Sequence, residues 1–291
     1  MKKMIRTIVA AACAAVLCAC GSSSSSTGSA STSADTGTAT DKVTYGFLDE
    51  TLGTESYAIG FRLGEEELAN TVSGAVKALV KNGTVEEIAK NYPDIKDYLS
   101  LKAEDIKDDE IAEEGSGDPS YTFKHGFDLD YPPYSYLQDD GSVGGFDVEL
   151  AQAVCKYLGW GYEAVPFNWD FKDAELNAKS CDCIWSGFTK EGREDKYTWG
   201  ITYSSNTQMI MVASNSGIKT LADLAGKTVG VQISTSAAEM LEGDQAELAA
   251  TFKELKVYET YTVAYNDLKA GAIDAIAIDV TAGSFLIAND Q

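Results

Sequence analysis

Asp279 closes the run Ala275-Ile276-Ala277-Ile278, so an acid stands at the end of what reads as a buried strand. A charge in that position needs a partner of opposite sign, because an unpaired buried carboxylate is expensive; the plainer reading is an N-cap for a helix beginning near Thr281. Arg193, in Gly187-Phe188-Thr189-Lys190-Glu191-Gly192-Arg193, carries a guanidinium that stays charged and pairs bidentately with planar anions. A surface arginine paired with Glu191 or Glu194 is its alternative. Cys181 and Cys183 share a strand face in the manner of a metal or thiol site. With His125 the single histidine and no other ligand types nearby in sequence, buried core cysteines fit better, and no metal is expected. His125, inside a strand, reads as structural, and one histidine leaves little room for a Ser-His-Asp set. Lys172 and Glu175 read as a solvated helix face. No catalytic residue is expected.

These residues need strands and helices to place them. Residues 42–47 (KVTYGF) and 57–61 (YAIGF) are short β-prone runs with a bend at Gly53 between them. Over 65–81, Leu68, Val72, Val76, Leu79 and Val80 fall on one helical face. Gly83 stops that helix, and Thr84 with Glu87 reads as a capping box for a second one reaching about Tyr92. Residues 99–118 are acidic and Gly/Ser-punctuated, which predicts a linker or a short surface helix. From Tyr121 strands alternate with helices: strands at 121–127, 162–167, 183–186, 208–214, 228–232 and 275–278, and helices at 146–158, 171–178, 237–241, 265–270 and from about 281. Thr220 with Asp223 caps a further short helix. Such alternation predicts a mostly parallel α/β design with binding sites at the carboxyl ends of strands.

The first residues, MKKMIRTIVAAACAAVLCAC, combine a basic start with an apolar run too short to span a bilayer, as in a cleaved secretory signal over 1–19. Leu17-Cys18-Ala19-Cys20 resembles the bacterial lipoprotein box, which implies that Cys20 is lipidated; an ordinary signal peptide is the alternative. Residues 20–41 then form a Ser/Thr-rich tether that cannot bury apolar surface. The chain has 45 acidic against 23 basic residues, a formal charge of −22, which repels nucleic acid and anionic lipid. Beyond Cys20 only Cys155, Cys181 and Cys183 remain, too few for a disulfide framework.

The segments "DLDYPPYSY", "GGFDVELAQAV", "FNWD", "CDCIWSGFTKEGRE", "SGIKTLADLAGKTVGVQ" and "AIDAIAIDV" follow one another over nearly all of 121–291. In order and spacing they resemble the polar-amino-acid (family 3) solute-binding proteins of ABC importers. That resemblance implies a two-lobed periplasmic-binding-protein-like (type II) α/β fold with two crossing hinge strands. "DETLGTESYAIGFRLGEEELANTVSGAVKALVKNGTVEEIAKNYP" is similar to the family's C-terminal segment, yet it precedes the rest. We read this as a circular permutation, with exchange between two copies or a piece of a tandem fusion as alternatives. Lobe one would be 53–98 with 119–206 and lobe two 42–52 with 207–291. Residues 99–118 would join the family's usual termini, and the crossings would be 49–56 and 203–208.

The resemblance also implies site roles. Arg193 and Thr189 would take an amino acid's carboxylate, helped by the N–H groups of Thr235 and Ser236; Arg193 stands one residue nearer Thr189 than the commonest family spacing. Asp279 and the Gly187 carbonyl would take the ammonium. Tyr131 and Trp169 would cover the aliphatic part, and Phe188 lies within the same motif. Asp128, with Gln232, would face the side-chain end and favour a donor-bearing amino acid: Gln, Asn, His, Lys or Arg. Asp130 or Asp170 could substitute for Asp128. Tyr134 and Trp185 read as packing. The implied function is delivery of a free polar amino acid to ABC permease subunits, without a cofactor, by a monomer lipid-anchored outside the cytoplasmic membrane. An amino-acid sensor or docking lipoprotein, or a dehydratase on the same fold, are the alternatives.

Overall fold

In a computed structural model describing residues 42–138 and 140–290, the chain opens with strand β1 (Tyr45–Phe61). Helices α1 (Glu66–Lys81), α2 (Thr84–Ala89) and α3 (Pro93–Lys96) follow. Strands β2 (Thr122–Asp128), β3 (Asp130–Tyr131), β4 (Ser135–Leu137) and β5 (Val143–Gly144) lead into α4 (Phe146–Leu158). Next come β6 (Gly161–Phe167), α5 (Lys172–Asn177), β7 (Cys183–Ile184) and β8 (Thr198–Ala213). The remainder is β9 (Thr228–Gln232), α6 (Ser236–Glu242), α7 (Ala246–Ala249), β10 (Glu254–Tyr258), α8 (Tyr261–Lys269), β11 (Ala275–Asp279) and α9 (Val280–Ala288). Cys20 and the Ser/Thr-rich stretch lie outside the described residues.

Eight strands form one sheet in the order β10-β9-β11-β8-β1-β7-β2-β6. β1 and β8 make an antiparallel ribbon at its centre, in register from Tyr45↔Ala213 to Phe61↔Thr198. Each side of the ribbon carries three strands that are parallel among themselves. β11 joins β8 at 208–212, whereas β7 joins β1 at Gly60 and Phe61, the opposite end of the ribbon. β11 therefore runs with β1 from one end and β7 runs against it from the other. The carboxyl ends of the two groups consequently face each other over the ribbon's middle.

Local sequence explains the parts. β9 (TVGVQ) and β11 (AIAID) are buried at every position, as parallel strands covered on both faces must be. Pro166 sits in β6, the sheet edge, where a missing N–H is tolerated. α1 buries Val72, Ala75, Val76 and Leu79, and α4 buries Leu150, Ala151, Val154 and Leu158 before Gly159 ends it at φ 81°. Each of the Val and Leu side chains among them contributes roughly 1.5–3 kcal/mol when taken fully out of water.

Several expectations are corrected. The two β runs before α1 are one strand, with register shifts in place of a bend at Gly53. Thr84 is the first residue of α2 and not its cap: Gly83, at φ 83°, is the N-cap, and Asn82 Oδ1 accepts from the Thr84 N–H at 3.0 Å. Residues 99–118, read as a linker or a short surface helix, hold two 3-10 turns, Ala103–Asp105 and Asp108–Glu110, and are tied down where Ile106 is buried and Glu110 pairs with Lys77 of α1 at 2.9 Å. Lys81 of α1 also pairs with Asp108. The helix at 265–270 begins earlier, at Tyr261, and β10 was not anticipated.

Candidate functional site

Three strands of the sheet end in polar side chains that converge: Asp128 ends β2, Gln232 ends β9 and Asp279 ends β11. With Gly187, Thr189 and Arg193 after β7, they line a narrow cleft. Tyr131, Trp169, Thr235 and Ser236 complete it, together with Ser186. Gly187 has φ +53°, and a Cβ there would come within 2.5 Å of the Tyr131 ring, so the chain passes Tyr131 only as glycine.

Arg193 is 2% exposed and belongs to the β7 side. Its Nη1 donates to the Thr189 carbonyl at 3.2 Å, and its guanidinium carbon lies 5.2 Å over the Phe188 ring. From the opposite side α6 presents Glu239: Arg193 Nε donates to Oε1 at 3.3 Å. Nη2 sits 3.0 Å from Oε2, near enough for ion pairing but out of line for a hydrogen bond. Lys172 corrects the solvated-face reading. It is buried, 5.1 Å over the Trp169 ring and 3.3 Å from the Ser234 carbonyl, and burial followed by Arg193's charge holds its ammonium below the usual lysine range.

Asp279 is 3% exposed and occupies the N-cap position of α9, but its carboxylate does not cap that helix. Its Oδ1 accepts instead from Tyr57 at 2.6 Å, Asn206 at 2.8 Å and Gln208 at 2.5 Å. The Tyr57 and Tyr131 hydroxyls are 2.7 Å apart, continuing this chain to the cleft wall. Asp128 accepts from Gln232 Nε2 at 2.9 Å across the cleft; burial pushes its carboxyl up to about 6, against hydrogen bonds from Asp130 and Gln232. Trp169 Nε1 donates to the Ser234 carbonyl at 3.0 Å, and Thr262 donates to Asp130 at 2.6 Å, so further contacts tie the two sides.

Of the residues expected at a site, Phe188 alone is not on the wall: it is fully buried behind Arg193 among Trp169, Tyr197 and Trp199. Gly187 directs its N–H to Asp147 at 2.7 Å. Thr235 is the N-cap of α6, its hydroxyl oxygen taking the Ala238 N–H at 3.3 Å. Asp170 is held off by Ser234, which donates to it at 2.6 Å. Sequence reasoning missed Ser186, Glu239 and the polar floor of Glu55, Asn206 and Gln208. The floor's signal was polar residues inside strands otherwise apolar. Cys155, Cys181 and Cys183 are free and buried, and His125 is buried with Nε2 2.6 Å from the Trp185 carbonyl. Among the described residues no group of three or more His, Cys, Asp or Glu is placed to hold a metal, and no helix is long and apolar enough to cross a membrane.

Comparison with known proteins places this arrangement. The chain is 35% identical over 165 residues to the L-cystine-binding protein TcyJ of Escherichia coli K12, covering 56% of this chain and 60% of that one. It is 32% identical over 168 residues to the arginine-binding extracellular protein ArtP of Bacillus subtilis 168, covering 57% and 64%. A substrate binding protein of an ABC uptake transporter from Streptococcus pneumoniae, solved with bound histidine, superposes with TM-score 0.54 at 36% identity over 57% of this chain and 70% of that one. The chain thus spans about 60% of the length of the curated relatives it matches. The fold is the two-lobed periplasmic-binding-protein type. Residues 123–269 match the model of bacterial extracellular solute-binding proteins, family 3, and the chain belongs to that family.

Proposed function

We propose that this chain binds a free polar amino acid between the two halves of its sheet and hands it to an ABC-type permease for uptake. One observation carries the reading: a buried guanidinium from one half, Arg193, and a buried carboxylate from the other, Asp279, line the same cleft. A zwitterion satisfies both, whereas an ion of one sign satisfies one. Because each half supplies one of these groups, bound ligand favours the closed form through contacts that the open form lacks.

Asp128 and the Gln232 carbonyl oxygen, buried without a partner among the described residues, suit a donor-bearing side chain. The relatives named for arginine and histidine support this class. We assign no reaction to the protein. Lipidation at Cys20 would hold the protein at the outer face of the cytoplasmic membrane. We also propose that the chain order is permuted. Residues 42–98 lie outside the family match, yet Phe47 contacts Gly283 of α9 and residues 45–47 pair with 211–213.

The test is a thermal-unfolding panel of the twenty amino acids and L-cystine. A ligand at a hundred times its Kd stabilises the native state by about 2.7 kcal/mol, so at least one should raise the midpoint by several degrees. A panel without any shift rejects the reading.

A further inference from the structure

Among the described residues of β1 and β8, Glu55 is the only buried acid, at 4% exposure, and amino-acid binding as described gives it no task. It faces Asn206 in the β1–β8 register. Asn206 Nδ2 lies 2.6 Å from Glu55 Oε1 and 2.8 Å from Asp279 Oδ1. Gln208 Nε2 lies 2.8 Å and 2.5 Å from the same two oxygens. Two amide groups are thus shared by two carboxylates, which cannot be farther apart than two hydrogen bonds laid end to end. The Thr189 hydroxyl donates to Glu55 Oε2 at 3.0 Å, linking it to the loop that carries Arg193. Gln208 Oε1 is buried without a partner among the described residues.

The groups that face Glu55 are Asp279 at the end of β11, Tyr57 on β1 and Tyr261 on α8; burial and Asp279's charge keep both phenols neutral. On the loop after β7, Glu191 accepts from the Ser56 N–H at 2.8 Å, and Arg193 is engaged by Thr189 and Glu239. Among the described residues no cation pairs with either acid, and like charges this close make it costly to ionise both. Glu55 also borders a second groove, shared with Ser56, Tyr98, Glu191 and Ser205.

We propose that Glu55 is a positioning residue for the ammonium site, holding a proton in the free protein and releasing it when an amino acid's ammonium settles against Asp279. The proposal rests on the amino-acid reading above. The proton leaves the Glu55 carboxyl for bulk water by way of that second groove, and the ionised pair then faces the ammonium. Burial, and after it the charge of Asp279, pushes Glu55 up to about 7, which places the exchange in an accessible range. Only ionised Glu55 attracts the ammonium, so affinity rises as pH passes upward through that range and levels off above it.

The experiment is calorimetric titration of the full chain with L-arginine and with L-glutamine from pH 5.5 to 8.5, in two buffers of different ionisation heat. Wild type should release up to one proton near pH 7, and its affinity should gain up to about tenfold per pH unit below that point. In Glu55→Gln the part of that slope centred near pH 7 disappears, while Asp128→Asn removes only what is centred near pH 6 and keeps the Glu55 part, which separates the two cleft acids. No proton release in wild type, or an unchanged slope in Glu55→Gln, overturns the proposal. If neither amino acid gives heat, the ligand class is what fails, and Glu55 is then judged by unfolding midpoints without ligand. A folded value above the unfolded one makes wild type lose ground to Glu55→Gln as pH rises from 5 to 8. A constant difference between the two proteins overturns the proposal.

Discussion

Gln232 Nε2 donates to Asp128 Oδ2 at 2.9 Å, joining the end of a strand in one half of the sheet to the end of a strand in the other. Such a bond forms only when the halves are closed. It also engages an acid that burial has pushed up to about 6. Because the folded value lies above the unfolded one, Asp128's contribution is greatest below about pH 4 and is lost as pH rises through 6. Asp128→Asn should therefore gain on wild type by on the order of 2–3 kcal/mol between pH 4 and pH 7. Denaturant unfolding at the two pH values checks this, and parallel curves would refute it.

Arg193→Ala should cost about 2–5 kcal/mol of amino-acid affinity, because the ligand's carboxylate would be buried without its partner. Arg193→Lys keeps the charge but not the planar fork, and should fall between wild type and alanine. Calorimetry reads both, and alanine binding as tightly as wild type would place the carboxylate elsewhere.

Gly60 lies under Phe188, the ring on which Arg193 rests. A Cβ at Gly60 would come within 2.8 Å of Phe188 Cε1. Gly60→Ala should destabilise the protein by roughly 1–3 kcal/mol through overpacking, and should weaken binding as the ring shifts Arg193. Denaturant midpoints and ligand titration of the same variant test the two halves of this expectation.

His125 predicts the acid limb. Burial holds its imidazole down at about 4, and since a carbonyl can only accept, Nε2 carries the hydrogen toward Trp185. A histidine depressed on folding contributes stability above its unfolded value near 6.5 and loses it as pH falls through 4. Wild type should give up about 3 kcal/mol relative to His125→Gln over that interval. Unfolding measured at pH 7, 5.5 and 4 provides the comparison.

The elements readable in advance were those whose pattern is complete in one stretch. α1 shows its apolar face at helical spacing, and β9 and β11 are continuous apolar runs. β10 (ELKVY) alternates polar and apolar residues on an exposed edge, so only its pairing with β9 makes it a strand. The acidic segment 99–118 finds its cations thirty or so residues earlier on α1, a relation no local pattern contains. The motif positions fall on the wall of one cleft, and the family resemblance, more than local pattern, pointed to them. The floor was illegible because Glu55 meets Asn206 only through strand register, and Lys172 is buried only because Trp169 folds beside it.

The ribbon of β1 and β8 is laddered along its length but interrupted between Phe47 and Thr51, Thr51 and Gly53, Tyr57 and Ala58, and Ala58 and Gly60. Two strands bonded side by side resist swinging separately, so the jaws share one torsion spring rather than a pair of loose straps. Its soft points are those interruptions, where the backbone can turn without breaking a rung. The last two adjoin Tyr57, whose hydroxyl touches Asp279, so any turn of the backbone there acts directly beside the cleft.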